Sequence, residues 1–229
     1  MRKDIQGYIF DLDDTLYCEH EYVRSGFRAV AHWLSEFHDV KAYEAIYRSM
    51  IDEWERNGRG RIFDEVCRRF NIEAEIAKAV EAYRQHEPVL ALYEDAERLL
   101  SLLEREEKKV GIITDGAREV QWRKIRALGL DKRVSCIIVS DDLGRECWKP
   151  SEIPYRKAVE CLGLSYEKCV YIGDNPHKDF CTARKLGMHT IRIIRPIGDH
   201  MQTILEDWQE ADRIIYSLDE LAEEMNSRV

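Results

Sequence analysis

Short apolar runs alternate with helical patterns along most of the chain. Six of these runs predict strands, at residues 8–10, 110–113, 136–139, 170–172, 191–194 and 214–216. Between them, apolar residues recur at helical spacing, as in Ala96, Leu99, Leu100 and Leu103. Alternating strands and helices predict an α/β fold, a parallel sheet with helices on both faces.

Residues 17–88 interrupt this alternation, because they show helical periodicity and no strand pattern. Four apolar stripes begin at Val23, Tyr43, Ile62 and Ile76, and such stripes are typical of packing surfaces. We therefore predict a small helical bundle over residues 17–88, inserted into a core domain made of residues 1–16 and 89–229. Its position directly after the first strand predicts a cap over the carboxyl edge of the sheet.

Composition excludes several classes of protein. The chain has 229 residues, of which 45% are hydrophobic and 34% charged, as expected of a globular protein. Its net charge of −9 argues against nucleic acid bound through phosphates. No apolar stretch is long enough to cross a membrane. The oligomeric state is left open.

The cysteines and the N-terminus predict a cytoplasmic protein. The seven cysteines include no C-x-x-C pair, and we interpret them as free thiols in a reducing compartment. They also lack the clustered spacing of a zinc site. The N-terminus has no apolar segment of the kind found in secretory signals.

Four of the predicted strands are followed by residues that can carry chemistry. They are Asp11 and Asp13, then Thr114, Asp115 and Gly116, then Lys149, and finally Asp174 and Asp179. Each has an ordinary alternative, since Thr is a good helix N-cap, Asp-Gly is a common turn and most loop lysines are solvated. In an open α/β sheet, however, the carboxyl ends of strands are where ligands bind.

Taken together, these residues predict a cation site for phosphate chemistry. Two like charges about 4 Å apart repel by about 4 kcal/mol at an effective dielectric of 20, so the acidic cluster requires cations. Lys149 supplies one, and an oxygen-rich site suits Mg²⁺. Thr114 and the backbone N–H groups after it are expected to hold phosphate oxygens. Which of the aspartates attacks is left open.

The motifs resemble those of the haloacid dehalogenase (HAD) superfamily, in the phosphatase-type subgroup with a helical cap between the first and second motifs. The matching residues occur in the family's order and the likeness covers essentially the whole chain. The motifs that carry the resemblance are Asp11-Leu12-Asp13-Asp14-Thr15, Thr114-Asp115-Gly116, Lys149-Pro150 and Gly173-Asp174 with Asp179. The resemblance implies a Rossmann-like core and a phosphatase activity.

The resemblance also implies a role for each motif residue. Asp11 would attack phosphorus and become an aspartyl phosphate, while Asp13 would protonate the leaving oxygen and then activate water. Lys149 would bind the phosphoryl group and steady Asp11. The remaining implied roles are phosphoryl binding at Thr114, Asp115 and Gly116, Mg²⁺ binding at Asp11, the Asp13 carbonyl and Asp174, and support from Asn175 and Asp179.

Two features depart from the subgroup's common pattern. Gly144 lies five residues before Lys149 rather than three, which predicts a longer connecting loop. Asp115 stands where Asn is frequent and adds a negative charge beside the phosphate site. We expect its carboxylate to point away or to be offset by a neighbour such as Arg118.

Several alternatives share the fold. A dehalogenase needs no acid at the position of Asp13, and a phosphomutase would use the same core. A phosphonate hydrolase would need a cap lysine, for which Lys41 and Lys78 are the candidates, although surface positions suit both better. A non-enzymatic binding protein is disfavoured because every motif residue is present.

We therefore predict a Mg²⁺-dependent phosphatase for a small phosphorylated metabolite, such as a sugar phosphate or a nucleotide. The cap is expected to contact the leaving group. Its candidate contacts are Tyr22, Arg24, Arg28, Arg59 and Arg61.

Overall fold

The computed structural model describes residues 4–37 and 42–227. The chain forms two compact units, one comprising Met1–Glu19 with Leu90–Val229 and the other His20–Val89. In the described part of the chain, no helix is both long and apolar enough to span a membrane.

The larger unit contains a six-stranded sheet. Its strands are β1 (Gly7–Phe10), β2 (Lys109–Thr114), β3 (Cys136–Val139), β4 (Cys169–Gly173), β5 (His189–Ile193) and β6 (Arg213–Ile215). They are parallel and lie in the order β3-β2-β1-β4-β5-β6. The six predicted strands and the predicted α/β class are confirmed, with each strand end within two residues of its expected position.

The sheet is covered on both faces by helices. These are α5 (Glu94–Arg105), α6 (Arg118–Ala127), α7 (Glu152–Leu162), α8 (Phe180–Lys185) and α9 (Asp219–Asn226). Side chains of a strand alternate between faces, yet Tyr8, Ile9 and Phe10 are all buried. Burial on both faces explains why the strands read as continuous apolar runs. Ile9 and Tyr171 pack with Tyr155 of α7 in one core.

The smaller unit is helical. Its helices are α1 (Glu19–Phe37), α2 (Tyr43–Asn57), α3 (Ile62–Arg69) and α4 (Ile76–Gln85). The first residue of α1, Glu19, belongs to the larger unit. Val30, Leu34, Ile46 and Met50 form the centre of its own core. The stripes that begin at Val23, Tyr43 and Ile62 supply buried residues of α1, α2 and α3. The stripe that begins at Ile76 is half-buried, and the buried residue of α4 is Ala79.

A buried ion pair fixes the start of α5 against the end of the sheet. The Asp95 carboxylate lies 2.6 Å from Arg195 Nη1, and it accepts hydrogen bonds from the Ser217 hydroxyl and the Leu218 N–H. Arg195 also donates to the Thr15 carbonyl at 2.7 Å. Burial opposes ionisation of Asp95, but the Arg195 hydrogen bond and the other donors outweigh it and lower its pKa.

Asp95→Asn should therefore destabilise the protein by about 3 kcal/mol at neutral pH, because the buried Arg195 loses its ion-pair partner. A carboxyl group with a lowered folded pKa stabilises the fold above its unfolded pKa of about 3.9. This contribution is lost as the pH falls through the folded pKa. Urea unfolding between pH 3 and pH 8 measures the free energy of unfolding of both proteins. The difference between wild type and variant should become smaller as the pH falls toward 3. A constant difference would contradict this account.

Candidate active site

The carboxyl ends of three neighbouring strands meet at one edge of the sheet. Because β2, β1 and β4 are adjacent and parallel, the residues that end or follow them lie side by side. Thr114 is the last residue of β2, Asp11 follows β1 and Asp174 follows β4. The Asp11 N–H donates to the Ile172 carbonyl at 2.8 Å, which continues the β1–β4 pairing into the candidate site.

Lys149 lies at the centre of this edge. Its ammonium group is fully buried and lies 2.6 Å from Asp11 Oδ1 and 2.8 Å from Asp179 Oδ1. It also donates to the Tyr171 hydroxyl at 2.8 Å. Burial opposes the charge on Lys149, but Asp11 and Asp179 outweigh it and raise its pKa well above the ordinary value. Lys149 is thus a fixed cation in contact with Asp11.

The loop before Lys149 follows a defined path through two short 3₁₀ turns, Ser140–Leu143 and Arg145–Cys147. Between them Gly144 has a φ of +109°, a conformation that favours glycine. The Trp148 indole N–H donates to Asp141 Oδ1 at 3.1 Å. The additional loop residues predicted from the sequence are therefore taken up by local turns.

Three carboxylates converge beside Lys149. Asp11, Asp174 and Asp179 are buried, and each offers an oxygen within 4.8 Å of the others. Burial raises the pKa of Asp11 to about 6, although the Lys149 charge opposes the shift. Burial and the charges of Asp11 and Asp179 raise the pKa of Asp174 well above its ordinary value.

This cluster fits a divalent cation. Within residues 4–37 and 42–227, the Asp174 carboxylate has no hydrogen bond or ion pair, although it is almost fully buried. Buried carboxylates without partners are costly, and an all-oxygen donor set is what Mg²⁺ prefers. The residues that could hold it are Asp11, the Asp13 carbonyl and Asp174, with Asp179 beside them.

Asp13 is held by side chains that sequence reasoning missed. Its carboxylate lies 2.6 Å from Lys124 Nζ, and accepts from Gln121 Nε2 at 2.8 Å and from the Tyr17 hydroxyl. Burial opposes ionisation of Asp13, but the Lys124 charge and these hydrogen bonds outweigh it and lower its pKa. Lys124 is 3.4 Å from Glu19 as well. Asp11 and Asp13 thus have opposite pKa shifts.

The residues of the Thr114-Asp115-Gly116 motif lie around the Gln121 side chain. The Gln121 amide donates to Thr114 Oγ1 as well as to Asp13. Gly116 has a φ of +136°, and a Cβ there would lie 3.0 Å from the Gln121 side chain, so a larger residue would disturb it. Helix α6 begins only at Arg118. Thr114 is therefore a strand-end residue, and the alternative of a helix N-cap does not apply.

Asp115 is offset by a different residue from the one expected. Its carboxylate lies 3.1 Å from Lys178 Nζ and accepts the Lys149 N–H at 3.1 Å. The suggested partner, Arg118, instead pairs with Asp142 at 2.7 Å. Burial opposes ionisation of Asp115, but the charges of Lys149 and Lys178 lower its pKa.

The residues after β4 are ordered by Asp179. Its Oδ2 accepts the Asn175 N–H at 3.0 Å, and the Asn175 amide contacts His200 Nε2 at 2.9 Å. A Cβ at Gly173 would lie 2.5 Å from Asp179 Oδ2. Glycine at position 173 therefore permits the close approach of Asp179 to the strand.

The five residues predicted as cap contacts all lie in the helical unit. Tyr22 is buried and packs edge-on against Tyr83. Arg28 stacks over Tyr47, and Arg61 lies 3.4 Å from Asp64. The other two are Arg24, which is half-buried, and the exposed Arg59.

The two lysines considered for a phosphonate hydrolase differ in what the structure describes. Lys78 is exposed and pairs with Glu75 at 3.0 Å, as a surface residue does. Lys41 lies outside the described residues.

Lys124→Met should lower kcat by about 10- to 100-fold with little change in KM, because Asp13 loses the ammonium group that fixes its direction. Steady-state kinetics on a phosphate ester would measure kcat and KM separately. Lys132→Met, which removes an exposed lysine, is the matched control. An unchanged kcat in a folded Lys124→Met variant would show that this ion pair has no part in turnover.

The chain is similar to known hydrolases over most of its length. The model of the family described as "Haloacid dehalogenase-like hydrolase" matches residues 8–193. Glyceraldehyde 3-phosphate phosphatase of Methanocaldococcus jannaschii is 30% identical over 226 residues, which are 96% of each chain. Pyrophosphatase PpaX of Halalkalibacterium halodurans is 26% identical over 82% of each chain.

A solved structure shows the same fold. The crystal structure of magnesium-bound YfnB of Bacillus subtilis superposes on this chain with a TM-score of 0.68. It is 21% identical, and the alignment covers 98% of this chain and 100% of that one.

Proposed function

Since the chain belongs to the haloacid dehalogenase-like hydrolase family, we propose that it is a Mg²⁺-dependent phosphatase that acts through an aspartyl phosphate on Asp11. The observation that carries this proposal is the contact between the buried Lys149 ammonium group and Asp11 Oδ1 at 2.6 Å. This contact supports the proposal because a buried cation beside a strand-end carboxylate suits phosphoryl transfer to that carboxylate. Asp13, two residues further along the chain, is the proposed acid or base.

In the first half of the reaction, an Asp11 carboxylate oxygen attacks phosphorus and the bond to the ester oxygen breaks. Lys149 and the Thr114 hydroxyl bind phosphoryl oxygens and stabilise their charge in the transition state. Asp13 donates a proton to the leaving alkoxide, which departs as an alcohol. This donation requires Asp13 to enter the cycle protonated. The Lys124 ion pair, which lowers the pKa of Asp13, opposes that protonated state.

In the second half, water attacks the phosphorus of the aspartyl phosphate. Asp13, now ionised, accepts a proton from that water. The bond between phosphorus and the Asp11 oxygen breaks, which releases inorganic phosphate and restores the Asp11 carboxylate. The lowered pKa of Asp13 suits this step, because it keeps the group ionised and able to accept a proton.

A bound Mg²⁺ would supply charge neutralisation for the phosphoryl group and for the acidic cluster. Asp11, the Asp13 carbonyl and Asp174 are the residues that would hold it. Among the residues that the structure describes, the buried Asp174 carboxylate has no hydrogen bond or ion pair, and burial raises its pKa. This supports a cation at this position, since a cation would stabilise the ionised form.

The proposed substrate is a small phosphate monoester. The relative with 30% identity over 96% of each chain is named for glyceraldehyde 3-phosphate, so a phosphorylated sugar or triose is the first candidate. A nucleotide monophosphate is the next. The five predicted residues of the helical unit, residues 22, 24, 28, 59 and 61, remain the proposed contacts for the leaving group.

A substrate panel tests the proposal. Glyceraldehyde 3-phosphate, sugar phosphates, nucleotides, pyrophosphate and a chromogenic monoester would be assayed for phosphate release, with Mg²⁺ and with EDTA. We expect Mg²⁺-dependent release from at least one monoester. Activity that survives EDTA would contradict the metal assignment. No release from any ester would favour a binding protein, and isomerisation without release would favour a phosphomutase.

A further inference from the structure

A second lysine lies beside the proposed phosphoryl-binding groups. Lys178 lies within the segment after β4, one residue before Asp179, and its Nζ is 3.1 Å from Asp115 Oδ2. The other oxygen of the same carboxylate accepts the Lys149 N–H at 3.1 Å. One carboxylate therefore links the Lys178 ammonium group to the backbone of the residue that contacts Asp11.

The position of Asp115 is unfavourable for binding phosphate unless its charge is balanced. Asp115 directly follows Thr114, and its side chain is 5% exposed. A carboxylate at this place repels an incoming phosphate dianion in a region of low effective dielectric. Lys178 and Lys149 both supply balancing charge, and the field of Lys178 also reaches Asp11 and Asp174.

We propose that Lys178 and Asp115 form a charge-compensated pair that sets the affinity of the active site for phosphate. This inference rests on the proposed function and adds Lys178 to the phosphoryl-binding groups. Lys178 attracts the phosphate, and the negative charge of Asp115 limits that attraction. Limited attraction is useful to a hydrolase, since uniformly tight binding would hold the product as firmly as the substrate.

Two single variants and their combination test the pair. Lys178→Met removes the ion-pair partner of Asp115 and leaves only the Lys149 charge to offset it, so inorganic phosphate should bind about tenfold more weakly. Asp115→Asn keeps an oxygen that can accept the Lys149 N–H and leaves Lys178 without its ion-pair partner, so phosphate should bind about tenfold more tightly. The double variant should return to within about threefold of wild type, because both charges are removed.

The measurement is titration calorimetry of inorganic phosphate into the full chain with Mg²⁺, together with phosphate inhibition of ester hydrolysis. Lys185→Met and Asp131→Asn are the charge-matched controls, since both residues are exposed, and neither should change the phosphate Kd. Thermal unfolding confirms that each variant is folded. A merely structural role would weaken phosphate binding in both single variants, whereas compensation moves the two in opposite directions.

The outcomes separate this inference from the proposed function. If wild type hydrolyses esters and binds phosphate but the two single variants shift Kd in the same direction, or by less than about twofold, the pair does not set affinity and the phosphatase proposal stands. If wild type neither binds phosphate nor hydrolyses any ester, both fail. Opposite shifts with recovery in the double variant support the inference.

Discussion

Asp11→Asn should reduce phosphate-ester hydrolysis by about 10⁴-fold or more, because an amide cannot attack phosphorus to form the acyl phosphate. Loss of a nucleophile typically costs this much or more in enzymes that use covalent catalysis. The Asn side chain keeps an oxygen that can accept a hydrogen bond from Lys149, so the fold should survive. kcat/KM on the best ester of the panel is the measurement.

Asp131→Asn is the matched control, since it makes the same change at an exposed position and should leave kcat/KM unchanged. Inorganic phosphate should still bind to the Asp11→Asn variant, because Lys149 and Thr114 remain. If Asp11→Asn retained more than about one per cent of wild-type activity while folded, Asp11 would not be the nucleophile.

Lys149→Met should lower kcat/KM by about 10²- to 10³-fold and also destabilise the metal-free protein. The activity falls because a buried cation no longer stabilises phosphoryl charge in the transition state. The stability falls because Asp11 and Asp179 lose an ion-pair partner at 2.6 and 2.8 Å. Removing one partner of a buried pair typically costs about 3–5 kcal/mol.

The loss of stability in Lys149→Met should increase with pH. The folded pKa of Asp11 is raised to about 6, above an unfolded value of about 3.9. A raised carboxyl pKa destabilises the fold above that pKa, and the penalty is relieved as the pH falls toward the unfolded value. Without Lys149 the pKa of Asp11 rises further, so the loss of stability should be larger at pH 8 than at pH 5.

Urea unfolding of the metal-free wild type and Lys149→Met at both pH values measures this difference. Lys168→Met removes an exposed lysine and is the control for loss of one positive charge. An equal loss of stability at pH 5 and pH 8 would mean that the buried carboxylates are not the cause.

The strands and helices could be predicted because burial leaves a clear periodic signal. Strands such as β4 are buried on both faces and read as continuous apolar runs, while the inserted helices show one apolar stripe each. The residues at strand ends were also accessible to sequence reasoning. Parallel pairing places the ends of neighbouring strands together, which brings Asp11 and Asp174 to one edge whatever the details of packing.

The lysines that hold Asp13 and Asp115 could not be found in this way. Lys124 lies on α6, 111 positions from Asp13, and in sequence it resembles any lysine of a solvated helix face. One signal was present, since Gln121 and Lys124 are three residues apart and so share a helix face. That face could be assigned to Asp13 only once the packing of α6 was known.

The partner of Asp115 was mispredicted for a related reason. Arg118 is close in sequence, but it pairs with Asp142. Lys178 is 63 positions from Asp115, and its place depends on how the segment after β4 turns around Asp179. Long-range pairing of flexible charged side chains is decided by loop geometry, which residue types and spacing do not encode.

The covalent state of Asp11 tests the central claim most directly. The protein would be mixed with Mg²⁺ and excess phosphate ester, quenched in acid during turnover, digested and analysed by mass spectrometry. We expect a peptide containing Asp11 to carry one added phosphoryl group in wild type, and none in Asp11→Asn. Steady hydrolysis by wild type with no phosphoryl group on that peptide, together with full activity of Asp11→Asn, would contradict the account.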